Sequence, residues 1–425
     1  MRLRWVATPA AFLIILAAGG CATPSGLSSG SQPTPVGNPT AITPAPALAA
    51  TFVQTGAVTP SPNIAALQIT TVAAISGNGS TANGTGRPNP SAPAAIGKAN
   101  RVPAMSPAVP IDGRLALVRD DALFVVEGIE SRLIYKVPSG GMIKDPAWSP
   151  DGRAIAFAYT APRKPPARSA PIVDMLMTSD IMVIDQGGTN PRIVAQHDRS
   201  GAILESPRWA PDGKSIYFSY YAPTYKGEEL VRETMEIQRA DVATGKSESV
   251  VANANSPSPS QDGQYLVFIS EDSTNGPGLR VMPAVGGPAR VLVGSDEFIT
   301  ITSPRFSPDG ATVIFGAAAL PPISTPIKRA DWANPLDRLL SWVTPSSAEA
   351  HGLPWEIFSV PASGGKPQQL TNVADDTLYA AWSTDGKRII AYGAGGLYLV
   401  DPSTGKTTVL SPDGSHGGMD WIAQK

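Results

Sequence analysis

The sequence predicts an all-β fold, a propeller of six four-stranded antiparallel blades, and three observations support this prediction. One phrase, an aromatic residue followed by Ser-Pro-Asp-Gly and an apolar strand, recurs along residues 109–425. The two ends of this region each hold half of a further copy. The 43 prolines and 41 glycines make up about a fifth of the 425 residues, against an average of about an eighth, which disfavours a mostly helical protein.

The recurring phrase has the physical properties of a β-hairpin. Pro and Asp start a tight turn, Gly supplies the positive φ that closes it, and an alternating apolar strand follows. The aromatic residue lies on the incoming strand and is expected to pack against a neighbouring sheet. A second strand pair follows, as at 180–194 and 396–410, and four strands make one propeller blade. The copies begin at Trp148, Trp209, Pro259, Phe306 and Trp382.

The sixth copy is split between the two ends of the repeat region. Asp112 and Gly113 begin a strand with no aromatic strand before it, whereas Trp421 lies on a strand with no turn after it. Joining the halves predicts a blade whose innermost strand, A, is carboxy-terminal and whose strands B to D come from residues 114–137. This closure removes free sheet edges, and the propeller is expected to span residues 109–425.

The repeated phrase resembles the WD-related repeat of TolB-type six-bladed propellers, and the resemblance covers most of residues 110–425. It implies a six-bladed extracytoplasmic propeller that binds a partner. TolB also carries an α/β domain ahead of its propeller and binds the lipoprotein Pal in the periplasm. No such α/β pattern precedes the repeats here, so the resemblance does not extend to a role in the Tol and Pal system.

Residues 1–20 have the pattern of a bacterial lipoprotein signal peptide. Arg2 and Arg4 precede a short apolar run, and small residues lead to Cys21. Acylation of Cys21 would anchor the protein in the lipid bilayer of a cell membrane or outer membrane. An ordinary secretory signal and an uncleaved helical anchor stay open as alternatives. Each of the three places the rest of the chain outside the cytoplasm.

Residues 21–108 are predicted to form a disordered tether between the membrane and the propeller. The segment is rich in Pro, Ser, Thr, Gly and Ala and has very few charged residues. It cannot bury enough apolar surface to offset the entropy of ordering. A flexible chain of this length has a root-mean-square span on the order of 50 Å, enough to hold a domain away from the membrane.

The charge balance and the residue types exclude several classes of protein. The 33 Lys and Arg nearly balance the 35 Asp and Glu, for a net charge of −2, so there is no global field to attract nucleic acid. One cysteine and three histidines exclude a disulfide scaffold and a Cys/His zinc cluster. We therefore expect a monomeric propeller without a cofactor, a metal site or a nucleic-acid partner.

Three insertions predict where a binding site lies. They occupy 159–179, 220–233 and 316–354, each between strands B and C of its blade, so all emerge on one face, termed here the B–C face. Residues 332–343 are predicted to form a short amphipathic helix that either caps the blades or contacts a partner or membrane. The basic and aromatic candidates on this face are Arg163, Lys164, Arg168, Tyr221, Tyr225, Trp332 and Trp342.

Carboxylates on the connectors from strand D to the next strand A are expected near the mouth of the central channel. They could hold a cation or simply be solvated. The candidates are Asp145, Glu205, Asp375, Asp376 and Asp420.

Catalytic motifs are weaker than the binding pattern. His197, His351 and His416 have no spacing that suggests a triad and are expected at the surface. The Thr-Gly-Lys phrases at 244–246 and 404–406 lack the earlier glycine of a P-loop and are interpreted as hairpin turns.

The principal hypothesis is a module that binds a protein or envelope polymer. The alternatives are a carbohydrate-active or hydrolytic enzyme with an acidic channel mouth, and a structural accessory of an envelope complex.

Overall fold

The computed structural model describes residues 107–163, 176–272, 276–319 and 353–423, and the regular elements in these ranges are the strands β1 to β24. The strands form six separate four-stranded antiparallel sheets. This confirms the six-bladed propeller that the repeats predict. The predicted signal peptide and almost all of the predicted tether lie outside the described residues.

Each blade contributes one strand to each of four concentric positions, from A at the axis to D at the rim. The A strands are β4 (Met142–Trp148), β8 (Ile203–Trp209), β12 (Ala254–Pro259), β16 (Phe298–Phe306), β20 (Tyr379–Trp382) and β24 (Met419–Ile422). The B strands are β1 (Ile111–Arg119), β5 (Ala154–Thr160), β9 (Ser215–Lys226), β13 (Tyr265–Asp272), β17 (Thr312–Ala319) and β21 (Ile389–Gly393).

The outer two positions complete the blades. The C strands are β2 (Ala122–Gly128), β6 (Asp180–Asp185), β10 (Glu229–Asp241), β14 (Gly276–Pro283), β18 (Trp355–Pro361) and β22 (Gly396–Val400). The D strands are β3 (Glu130–Lys136), β7 (Arg192–Ala195), β11 (Ser247–Ala252), β15 (Arg290–Val293), β19 (Gln368–Gln369) and β23 (Thr407–Ser411). Blades 1 to 5 begin at β4, β8, β12, β16 and β20, and blade 6 has the order β24, β1, β2, β3.

Blade 6 closes the ring as the split repeat predicts. Strand β24 pairs antiparallel with β1, from Arg114 opposite Ile422 to Leu117 opposite Met419. Each A strand contacts the A strands of the two adjacent blades, which makes a closed inner ring. The indole Nε1 of Trp421 also donates a hydrogen bond to the Asp112 carbonyl at 2.6 Å. The two ends of the propeller are therefore held by both backbone pairing and side-chain contact.

The hydrophobic core is divided into six main clusters, one between each pair of adjacent blades. The aromatic residue at the end of strand A packs into the cluster shared with the preceding blade. Trp148 lies between blades 6 and 1, and Trp421 lies between blades 5 and 6. The prediction that this aromatic contacts a neighbouring sheet is confirmed in five blades, whereas blade 3 has Pro259 at this position. The phrase recurs because its aromatic fills an interface between blades.

The Asp-Gly turns have the backbone conformation that their sequence requires. The five turn glycines of the complete copies have φ between 68° and 72°, a region that residues with a Cβ rarely adopt. Ser307 donates to Asp309 at 2.5 Å and accepts the Thr312 backbone N–H at 2.9 Å, which ties the turn to strand B. The Thr-Gly-Lys phrases are also turns, because Gly245 and Gly405 have φ of 72° and 70°.

The shortest of the three predicted insertions is part of the sheet. Strand β9 has 12 residues whereas β5 has 7, an extension of about 17 Å at ~3.3 Å per residue. Strands β9 and β10 stay paired up to Lys226 opposite Glu229. The alternating sequence and Gly227, with φ of 64°, favour a continuous hairpin over the irregular loop expected at 220–233.

We predict that Trp421→Ala opens the closure and lowers the free energy of unfolding by about 3–5 kcal/mol, the usual cost of truncating a buried aromatic. The substitution removes both the packing between blades 5 and 6 and the bond to Asp112. Equilibrium urea denaturation measures the loss. Tyr265→Ala is the control, because Tyr265 is 47% exposed on blade 3 and should change stability by about 0.5 kcal/mol or less. Equal losses in the two variants would contradict the closure account.

Candidate functional site

A repeated backbone bulge turns polar side chains toward the propeller axis. In four A strands a residue with φ between 50° and 56° precedes a proline, and the pairing with strand B shifts register there. A bulge bends the strand and re-aims the following side chains, and proline suits this position because it has no N–H to pair. The four residues are Asp145, Ser206, Ser256 and Ser303.

The bulged strands enclose a narrow axial cavity. Side chains from blades 1 to 5 line it, among them Asp145, Arg208, Ser303, Arg305 and Tyr379. Its volume is about 10 Å³, close to the space that one water molecule needs. This cavity is therefore too small for a sugar ring or a peptide chain.

Beside the cavity lies an ionic cluster, formed by Lys144, Asp145, Glu205, Arg208 and Asp420. Lys144 donates a hydrogen bond to Glu205, and both side chains are mostly buried. Burial, reinforced by Asp145, raises the pKa of the Glu205 carboxyl even though Lys144 opposes the shift. Burial disfavours the charged form of Lys144, but Glu205 and Asp145 together hold the pKa of Lys144 above its usual value. Lys144 thus stays charged between two carboxylates.

The second half of the ionic cluster surrounds Arg208. Burial lowers the pKa of Arg208, while the nearby carboxylates of Asp420 and Asp145 oppose the shift. Burial raises the pKa of Asp420, whose Oδ2 accepts the Trp148 backbone N–H at 2.8 Å. Burial, reinforced by Asp145, also raises the pKa of Tyr379 well above its usual value. Charged groups from blades 1, 2 and 6 are therefore coupled to a phenol from blade 5.

The five carboxylates predicted at the channel mouth separate into two groups. Asp145, Glu205 and Asp420 lie together in the ionic cluster. Asp375 instead accepts hydrogen bonds from the Tyr398 hydroxyl at 2.8 Å and the Gly395 N–H at 2.6 Å. Asp376 follows it in the same connector, where its backbone carbonyl accepts the Ala394 N–H at 3.2 Å. These contacts place Asp375 and Asp376 against the B–C turn of blade 5, where Asp375 has a structural role.

Only part of the predicted B–C face lies within the described residues. Arg163 is exposed and donates to the Leu176 carbonyl at 2.5 Å. Tyr221 is only 1% exposed and its hydroxyl donates to Glu233 at 2.7 Å. Because β9 continues through this position and turns the ring inward against Ile203, Tyr221 belongs to a small core cluster and offers no aromatic surface. Four other candidates lie outside the described residues: Lys164, Arg168, Trp332 and Trp342.

Tyr225 lies in the projecting end of the β9–β10 hairpin, residues 224–232, termed here the hairpin tip. It pairs across the hairpin with Leu230, and both side chains are partly exposed. The neighbouring Val231 is 51% exposed. Burial and the nearby Glu233 raise the pKa of Tyr225, so its ring stays neutral. The tip therefore presents an apolar patch flanked by the exposed charges of Lys226 and Glu229.

Sequence reasoning missed the cations at the axis. Arg208 and Arg305 occupy the same position in two repeats, each directly before the aromatic residue. The recurrence of Ser-Pro-Arg followed by Trp or Phe was the available signal, because a charged residue at an innermost strand position is unusual. Lys144 gave no such signal, since it occurs in one blade only.

His197 is less exposed than the sequence suggests. Its Nδ1 lies 2.5 Å from Asp180 Oδ1, which also accepts the His197 backbone N–H at 2.8 Å. Asp180 is buried at the start of β6, so the pair fixes the loop after β7.

Within the described ranges no group of three His, Cys, Asp or Glu side chains could hold a metal ion. In the same ranges no helix is long and apolar enough to cross a membrane.

Solved propellers are similar to this chain at low sequence identity. TolB from Acinetobacter baumannii matches 74% of this chain over 68% of its own length, with 15% identity and a TM-score of 0.49. A chain of a nidogen/laminin complex matches 72% over 97%, with 10% identity and a TM-score of 0.47. A puromycin-hydrolyzing peptidase of Mycobacterium tuberculosis matches 76% over 52%, with 14% identity and a TM-score of 0.43.

No family model matches the sequence, and no curated protein matches it either. The similarities to solved structures carry no functional inference at these scores. The six-bladed fold that the resemblance to TolB-type propellers implies is confirmed by the strand pairing itself.

We predict that Lys144→Met lowers the free energy of unfolding by about 3–5 kcal/mol, because it leaves the buried carboxylates of the ionic cluster without their shared cation. The loss should be larger at pH 8 than at pH 5. A carboxyl whose pKa is higher in the folded state stabilises the fold while protonated, and that contribution is lost as the pH rises through the raised pKa. Urea denaturation at both pH values measures it.

Lys144→Met combined with Glu205→Gln is the matched control. The second change removes the raised carboxyl, so the double variant should regain stability at pH 8 and lose most of the added pH dependence. A Lys144→Met variant as stable as the wild type at both pH values would show that the cluster is not electrostatically coupled.

Proposed function

We propose that this chain is an extracytoplasmic, membrane-anchored propeller that binds a protein or an envelope polymer through its B–C face. The observation that carries the proposal is the hairpin tip, where Tyr225, Leu230 and Val231 project beyond a closed scaffold. Rigid scaffolds carry binding residues on such projections. Aromatic residues at the centre with charged residues around them are typical of protein interfaces.

The axial region supports the binding module over the enzyme alternative. Glycoside hydrolysis needs two carboxylates on either side of a bound sugar, but the axial cavity is about 10 Å³. Of the two carboxylates in the ionic cluster whose pKa is raised, Glu205 is held by Lys144 and Asp420 by the Trp148 N–H. Among the described residues, the carboxylates that come together are therefore engaged in structural contacts and have no room for a substrate.

Anchoring through Cys21 supplies the second part of the proposal. The anchor is supported by the two arginines near the N-terminus, the apolar run that follows them and the small residues before Cys21. Acylation there, with residues 21–108 as the tether, would let the B–C face reach partners away from the bilayer. An ordinary secretory signal remains the competing explanation for the same residues.

For the binding face, we predict that a triple variant with Tyr225→Ser, Leu230→Ser and Val231→Thr captures about tenfold less ligand than the wild type. Central apolar side chains dominate the binding energy of an interface. The measurement is crosslinking of the full chain in native envelope extract, followed by mass spectrometry and glycan analysis. The control carries Val291→Thr and Val409→Thr, two exposed D-strand valines. Equal capture of the same ligand by the triple variant and the wild type would rule out the hairpin tip.

For the anchor, we predict that Cys21→Ser moves the protein from the membrane fraction to the soluble extracytoplasmic fraction. The thiol is the only acylation site the pattern offers, so incorporation of a labelled fatty acid should also be lost. Ser25→Ala serves as the control and should behave as the wild type. Unchanged membrane association of Cys21→Ser would favour an uncleaved helical anchor.

A further inference from the structure

Two buried arginines of the axial cavity have no carboxylate of the described residues within salt-bridge distance. Arg208 and Arg305 are each only 8% exposed, and both line the cavity. Each guanidinium donates to a neighbouring carbonyl, Arg208 to Pro207 at 2.6 Å and Arg305 to Pro304 at 3.3 Å. Among the described residues, neither arginine forms an ion pair with a carboxylate.

Several donors in the same small space are also unsatisfied. The Nε of Arg208, the Nε and Nη2 of Arg305 and the Oγ of Ser303 are buried without a hydrogen-bond partner. Native proteins pair the great majority of such atoms, because a buried donor without an acceptor destabilises the fold. Four unsatisfied donors on three residues that line one cavity therefore point to a bound hydrogen-bond acceptor, and because two of the residues are cations they favour an anion.

We propose that the axial cavity is a binding site for one chloride-sized monovalent anion, held by Arg208, Arg305 and Ser303. The small cavity of about 10 Å³ favours a compact, single-atom anion over sulfate or an organic acid. The anion accepts hydrogen bonds from guanidinium groups of blades 2 and 4 and from the Ser303 hydroxyl. It thereby links blades 2 and 4 and supplies the acceptor that the unsatisfied guanidinium atoms lack.

The carboxylates near the cavity do not replace the anion. Asp145 lines the same cavity, but its Oδ2 accepts the backbone N–H of Ser206 at 3.1 Å. Asp420 accepts the Trp148 N–H. Both carboxylates are thus directed at backbone donors and influence Arg208 from beyond ion-pair distance. Their presence favours a monovalent anion over a more highly charged one.

The test is the thermal stability of the full chain, purified in detergent and gluconate without chloride. Chloride or bromide, exchanged for gluconate at constant ionic strength, should raise the Tm by about 2–4 °C in a saturable manner. Sulfate should give no saturable rise. Crystals grown in bromide should show an anomalous peak within hydrogen-bond distance of the Arg208 and Arg305 guanidinium groups.

Two variants separate a bound anion from a general salt effect. Arg305→Met removes an unpaired buried charge, so it should fold and show the same Tm in chloride and gluconate. Arg114→Met is the matched control, because the Arg114 guanidinium is buried but bonded to Gly152 at 2.9 Å and stacked on Trp148; it should keep the chloride response. No saturable rise in the wild type, an equal rise in Arg305→Met, or no bromide peak at the two arginines would each overturn the proposal.

Discussion

The pairing of β24 with β1 is the constraint on which the rest of the structure depends. It completes blade 6 and joins the inner ring between blades 5 and 1. The same terminal segment bonds to blade 1, since Gly417 accepts the Asp145 N–H at 2.8 Å and Asp420 accepts the Trp148 N–H. Loss of this segment would remove Trp421 from the core between blades and one carboxylate from the ionic cluster. The same terminal segment therefore closes the ring and supplies a carboxylate to the ionic cluster.

Alternation along the A strands separates the apolar core from the polar axis. Successive side chains of a strand point to opposite sides. The aromatic at the strand end therefore enters the cluster with the preceding blade, and the residue before it lies on the other side. That residue is Arg208 before Trp209, Arg305 before Phe306 and Asp420 before Trp421. An aromatic at this position fills five of the six interfaces, and Pro259 takes its place in blade 3. The residue that faces the axis is free to vary, which is why charge can accumulate there.

The repeats predicted the blade number, the turns and the closure because each depends on local chemistry: glycine with positive φ, alternating strands and an aromatic at a fixed position. The site was predicted less well, because its residues meet only in the ring. Asp145 and Asp375 were both expected on connectors, yet the first lies in β4 and lines the axial cavity, whereas the second precedes β20 and bonds to Tyr398. Tyr221 resembled a loop aromatic, but the pairing of β9 with β10 makes it a core residue. Arg305 could have been predicted as an axial residue only by comparing the repeats at the position before the aromatic.

Native-state hydrogen exchange of β24 tests the central claim most directly. If the carboxy-terminal strand closes the ring, its amides paired with β1 should exchange only through global unfolding, at the same free energy as those of the inner strand β20. Exchange of β24 at the rate of an unstructured terminus, while β20 stays protected, would contradict the closed propeller and the axial arrangement derived from it.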